Sequence, residues 1–107
     1  PDCTPSVYSG HYDFGNSFYS FDFGGVHTVV LNTYTASEKG SKQYNWLLDD
    51  LDSVNRTVTP WLVVMMHGPW YNTFVSHHDE SMTVAMRQAM EGIFVQFKVN
   101  VVYAGHV

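Results

Sequence analysis

Two histidines, His67 and His106, each follow a short apolar run, a placement that suits metal coordination. The run Trp61-Leu62-Val63-Val64-Met65-Met66 delivers His67. The run over 99–102 delivers Tyr103-Ala104-Gly105-His106. Short apolar runs of this kind read as buried strands. In open α/β sheets, ligands bind in the crevice beyond the carboxyl ends of the strands. Neutral imidazole is a good ligand for zinc, iron and manganese, so two imidazoles at one rim are positioned to share an ion. Gly105 lets the backbone turn sharply before His106. Two histidines do not complete a site, because a catalytic zinc uses three protein ligands and an open position. Asp79 and Glu80 read as solvated charges or as acids favoured at a helix amino terminus. The plainer alternative is a pair of hydrogen-bonded histidines at strand ends.

His77 and His78 form the second constellation. They lie ten and eleven residues beyond His67, on a loop long enough to fold back over the strand ends. They read either as exposed loop histidines or as a proton donor or phosphate-binding cation beside the metal. His11, in an irregular stretch, and His27, inside a strand pattern, read as structural.

The elements that must position these residues follow from periodicity. Residues 17–23 alternate polar and apolar, Gly24-Gly25 makes a turn, and 26–32 resume as a second strand, together a hairpin. Ser41 is a plausible N-cap for a helix over 42–54, with Tyr44, Leu47, Leu48 and Leu51 at helical spacing. Pro60 precedes the strand 61–66. After the loop 67–80, Glu80 or Ser81 opens a helix to residue 97. Its expected buried stripe is Met82, Met86, Ala89, Met90, Ile93 and Phe97, which reads as core filling. Residues 99–103 form the last strand. The order β-β-α-β-α-β implies parallel strands joined by right-handed helical crossovers.

Composition bounds the partners. The chain has 107 residues, enough for one domain or part of one. Charged residues make up 14%, against the ~25% typical of soluble domains, so much of the surface is expected to face other protein. The net charge is −5, with only five Lys and Arg. That speaks against nucleic-acid binding through a basic patch. No apolar stretch approaches the ~20 residues of a membrane span. Both termini read as cut. Cys3 is the only cysteine, and its partner lies elsewhere or it is a free thiol. Asn55-Arg56-Thr57 is the only N-x-S/T sequon, making Asn55 the candidate glycosylation site.

At these residues a family resemblance emerges. Trp61-Leu62-Val63-Val64-Met65-Met66-His67-Gly68-Pro69-Trp70-Tyr71-Asn72-Thr73 resembles the purple acid phosphatase form of the metallophosphoesterase motif V-x-x-H. Lys98-Val99-Asn100-Val101-Val102-Tyr103-Ala104-Gly105-His106-Val107 resembles the family's G-H-x-H motif without its final histidine. Tyr19 to Gly24, Val29 to Asn32, Gln43 to Leu47 and Met86-Arg87 to Phe97 are similar to the same family. The resemblance covers residues 17–107. It implies an α/β fold, the carboxyl-terminal part of a four-layer α/β sandwich truncated at both ends, preceded by an irregular segment at 1–16. It further implies a binuclear centre of iron with zinc, manganese or iron. His67 and His106 would bind the second metal, and the residue after Val107 would be a histidine for iron(III). His77, with His78 as a weaker candidate, would serve as general acid or phosphate contact.

By this resemblance the parent protein is a secreted acid phosphatase that hydrolyses phosphate monoesters with a metal-activated hydroxide. The implied partners are the substrate, the remainder of the catalytic domain, and a homo-oligomer or extracellular assembly. The family's amino-terminal aspartates and its G-D-x-x-Y and G-N-H segments are absent from these 107 residues, so this piece alone is expected to be inactive. The competing reading is a non-catalytic metallophosphoesterase-like structural or interaction module. A free-standing mononuclear metal binder would need a third ligand.

Overall fold

The computed structural model describes residues 15–107. Cys3, His11 and most of the irregular 1–16 segment lie outside them. The element order is β1 (Tyr19–Phe23), β2 (Val26–Val30), α1 (Lys42–Ser53), β3 (Trp61–Met66), α2 (Ser81–Gln96) and β4 (Val101–Ala104). The strands form one sheet in the order β1-β2-β3-β4. β1 and β2 pair antiparallel, while β2 with β3 and β3 with β4 pair parallel. The mixed α/β architecture expected from periodicity is present, with the expected crossovers.

Local chemistry explains the element boundaries. Gly24 and Gly25 have φ values of 57° and 80°, the left-handed pair of a two-residue hairpin turn, which other residues adopt at a cost. β2 ends two residues earlier than periodicity suggests because Gln43 captures the next backbone. Its Oε1 accepts from the Asn32 N–H at 2.7 Å, and its Nε2 donates to the Asn32 carbonyl at 3.0 Å. The Ser41 hydroxyl caps α1 by accepting from the Tyr44 N–H at 3.2 Å.

β4 starts later than expected because residues 97–99 are used to close α2. Lys98 sits at φ 57°. The Lys98 N–H donates to the Val95 carbonyl, and the Val99 N–H to the Phe94 carbonyl, the Schellman pattern of helix termination. Asn100 then fastens the start of β4 to β3. Its N–H donates to the Leu62 carbonyl, and its Oδ1 accepts from the Leu62 N–H.

Both crossovers run in the same direction across the sheet, so right-handedness places both helices on one face. Leu62, Val64 and Met66 point into the core there with Val29, Leu47, Leu51, Met86, Met90 and Phe94. The helix faces are rotated from the expected stripes. On α1, Gln43, Trp46 and Asp50 are buried, whereas Tyr44 and Leu48 are only partly so. On α2, Met82 is exposed and Thr83 buried. The opposite sheet face carries Trp61, Met65, Val101 and Tyr103, all exposed. Trp61 and Met65 alternate with the core residues of β3, and Tyr103 pairs with Met65.

A polar cluster sits at the amino-terminal end of the parallel strands. Asp50 of α1 is buried. It accepts from the Ser20 hydroxyl at 2.5 Å and contacts His27 Nε2 at 2.8 Å, while His27 Nδ1 contacts Asp22 at 2.5 Å. Burial pulls the His27 imidazole down, but hydrogen bonds and charge from Asp50 and Asp22 outweigh it and hold its pKa above 6.5. His27 thus ties α1 to the hairpin at the end of the parallel strands remote from His67.

Candidate metal centre

The parallel pairing of β3 and β4 continues past the strand ends. Met66 lies opposite Ala104, and the Gly105 N–H donates to the His67 carbonyl at 3.0 Å. The next side chain in each chain direction is therefore a histidine at the same rim. His67 Nε2 lies 2.9 Å from His106 Nδ1, with ring centroids 4.7 Å apart. The sharp turn falls on His106 itself, at φ 71°, rather than on Gly105. Left-handed backbone at a residue other than glycine is uncommon, and such outliers cluster at functional sites.

The loop after β3 brings two more groups to this rim. The His77 and His78 N–H groups both donate to the Phe74 carbonyl, and the Phe74 ring stacks on His77 at 5.4 Å. The His77 ring lies 4.5 Å from that of His106. Glu80 Oε1 receives His77 Nδ1 at 2.5 Å and His106 Nε2 at 3.0 Å. The hydrogen bonds from His77, and then from His106, hold the Glu80 carboxyl below its usual range. Ligand atoms of His77, Glu80 and His106 all lie within 4.8 Å of one another. His78 is not brought into this group. Its Nδ1 bonds the Val75 carbonyl at 2.9 Å, and its Nε2 faces Asp79 at 2.8 Å. Asn55 is exposed in the α1–β3 connection, at the other end of the strands, where its Oδ1 accepts from the Thr57 N–H.

This donor set fits a metal ion. A carboxylate accepting from one ring nitrogen of a histidine fixes its tautomer and frees the other nitrogen to ligate. With Nε2–H of His106 donating to Glu80, its Nδ1 lone pair is the one that faces His67. Two nitrogens each ~2.0–2.1 Å from one ion can stand 2.9 Å apart, the separation seen here.

Comparison with known proteins is decisive at this point. Residues 5–107 match the family model described as calcineurin-like phosphoesterase. The chain belongs to the calcineurin-like phosphoesterase family. Within that family it is similar to purple acid phosphatases. It is 51% identical over 92 residues to purple acid phosphatase 23 of Arabidopsis thaliana, covering 86% of this chain and 20% of that protein. It is 50% identical over 90 residues to a purple acid phosphatase of Glycine max, covering 84% and 19% respectively. Among solved structures, a purple acid phosphatase from yellow lupin (Lupinus luteus) seeds superposes with a TM-score of 0.72 at 27% identity, covering 84% of this chain and 16% of that one. The chain thus spans about a fifth of the length of the curated relatives it matches, and its four-stranded α/β sheet matches the fold of that solved neighbour.

Glu80 is the site residue that sequence reasoning read as a solvated or helix-terminal acid. It does occupy the N-cap position of α2, but its side chain makes no capping hydrogen bond and turns to the histidines instead. The signal was its spacing, three residues after His77 at the entry to a helix.

Proposed function

We propose that this phosphoesterase chain supplies part of the binuclear metal centre of an acid phosphatase that hydrolyses phosphate monoesters. The observation that carries the reading is the meeting of His67 Nε2 and His106 Nδ1 at 2.9 Å, at the end of the sheet where ligands bind in such folds. The names of the relatives, all purple acid phosphatases, supply the reaction class. His67 and His106 would hold the second ion, with iron, zinc or manganese as the expected metals. When bound, the metal pair supplies an activated hydroxide and clamps the attacking and leaving oxygens.

The chain's own residues do the rest. Glu80 fixes the tautomer of His106 and orients His77. His77, with Nδ1–H given to Glu80, keeps Nε2 for the proton that the leaving oxygen needs. His78, turned toward Asp79, has no part in this proton transfer.

The remaining ligands belong to the rest of the same catalytic domain, which would also cover the exposed face of Trp61, Met65, Val101 and Tyr103. Residues 17–107 are then the carboxyl-terminal half of that domain. The reading carries an extracellular location, with a glycan on Asn55. Its exposure in a polar connection supports that assignment. Among the described residues no helix is long and apolar enough to cross a membrane.

The test uses the intact polypeptide that carries this segment. Metal analysis and hydrolysis of an aryl phosphate are measured for wild type and His67→Ala. The variant should lose one of two metal equivalents and its activity together. Full metal content in an active His67→Ala protein would overturn the reading.

A further inference from the structure

We propose that Thr33, in the loop after β2, is a positioning residue for the His67 ligand, acting through the backbone of Gly68. The inference rests on the metal-binding reading of His67. Thr33 is 2% exposed. Its hydroxyl oxygen accepts a hydrogen bond from the Gly68 N–H at 2.9 Å, within the interior. That N–H belongs to the peptide immediately after His67, where β3 has ended and the ladder no longer holds the chain.

Gly68 is buried, and there is no room around it. A Cβ there would meet Cγ2 of Thr33 at 2.7 Å and Oγ1 of Thr83 at 2.9 Å. Thr83 is itself 4% exposed on α2. The peptide after the ligand is therefore clamped between the loop following β2 and the first turn of α2. The hydrogen bond from Thr33 fixes its rotation. On the other side, the His67 carbonyl accepts from Gly105.

The peptide that follows His67 is thus held from the loop after β2, from the chain after β4 and from α2. The loop is secured in turn, because the two backbone groups of Asn32 are taken by Gln43. Its Oδ1 accepts from the Tyr34 N–H at 2.8 Å, and the Tyr34 ring lies 5.8 Å from that of His67.

An exchange of threonine for valine keeps the shape and removes the acceptor. The Gly68 N–H is then buried without a partner, a state that a structure relieves by moving the peptide. Movement there turns the His67 ring away from His106. Outer-shell partners of metal ligands typically affect metal affinity 10–100-fold.

The experiment uses the full-length protein, stripped of metal and titrated with cobalt(II) alone. Affinity and the visible d–d spectrum at the second site are recorded for wild type, Thr33→Val, Thr33→Ser and His67→Ala, with thermal unfolding in parallel. Thr33→Val should bind cobalt about 10-fold or more weakly, with altered band positions. Thr33→Ser keeps the acceptor and should restore both readouts, even where its Tm is lowered by the missing methyl. If Thr33→Val does not fold, Thr33→Ala removes the same acceptor without added bulk and is read the same way. Wild-type affinity and spectrum in the variant lacking the acceptor would overturn the proposal. So would a Thr33→Ser protein as weak as that variant. Unchanged cobalt binding in His67→Ala would instead overturn the metal reading on which the proposal stands.

Discussion

The Glu80 carboxylate lies 2.5 Å from Nδ1 of His77, joining a loop histidine to the N-cap residue of α2. This contact gives the loop histidine a fixed orientation and a defined tautomer. It also separates His77 from its neighbour His78, whose ring faces Asp79. A proton donor needs such a support, since geometry comes before pKa in general acid catalysis.

His77→Ala in the intact polypeptide should lower kcat for alkyl phosphates far more than for activated aryl phosphates. General acid catalysis is worth about 10²–10⁴-fold and matters most when the leaving oxygen is strongly basic. Metal content should stay unchanged. A leaving-group series with parallel metal analysis checks both statements. A flat loss across the series would remove the proton-donor role.

The polar cluster at the other end of the sheet predicts a pH dependence of stability. The imidazole of His27 is held above its ordinary 6.5 by Asp50 and Asp22, against the opposing effect of burial. A group whose folded pKa is raised contributes stability that is fully present below the unfolded value. That contribution is lost as pH rises through the folded value. As pH rises from the ordinary histidine value of about 6.5, Tm should fall, and His27→Gln should flatten that slope. Calorimetry across this range provides the check. A parallel slope in the variant would show that another group titrates.

Asp50→Ala should be among the most damaging single changes in the core. It removes the buried partner of both Ser20 and His27. Breaking a buried pair by deleting one member costs about 3–5 kcal/mol. Denaturant unfolding of Asp50→Ala beside Asp49→Ala gives the contrast. Asp49 is exposed, so its loss should be small.

Expressed alone, residues 1–107 should self-associate and lack phosphatase activity. β4 is exposed along its whole length at the edge of the sheet, and unpaired edges of this kind pair with one another. Light scattering of the isolated segment, with a metal-supplemented activity assay, tests both expectations.

The pattern of elements was legible because strand and helix periodicities are strong here. β3 falls on residues 61–66 as expected, and α1 begins after Ser41. The end of β2 and the start of β4 moved for side-chain or capping reasons: Gln43 bonding the backbone of Asn32, and the closure of α2 over Lys98 and Val99. Neither leaves a periodic trace. The buried faces rotated because Gln43, Asp50 and Thr83 are polar residues satisfied inside the core, whereas a hydrophobic pattern places them outside. The rim pairing of His67 with His106 was legible from strand direction alone. Glu80 was not, because an acid before a helix has an ordinary explanation as a dipole partner. Its spacing from His77 is the only hint in the sequence, and the missing cap bond distinguishes it in the structure.

The two histidines at the rim are 39 residues apart in sequence, and they meet only through the parallel pairing of β3 with β4. Parallel pairing requires closure of the whole α2 crossover before its contacts are rewarded. On the proposed metal-binding role of this rim, uptake of an ion would therefore follow assembly of the sheet. The rate of metal capture by refolding chains would report that late closure as a clock, while the β1–β2 hairpin, joined by two glycines, forms on its own much faster schedule.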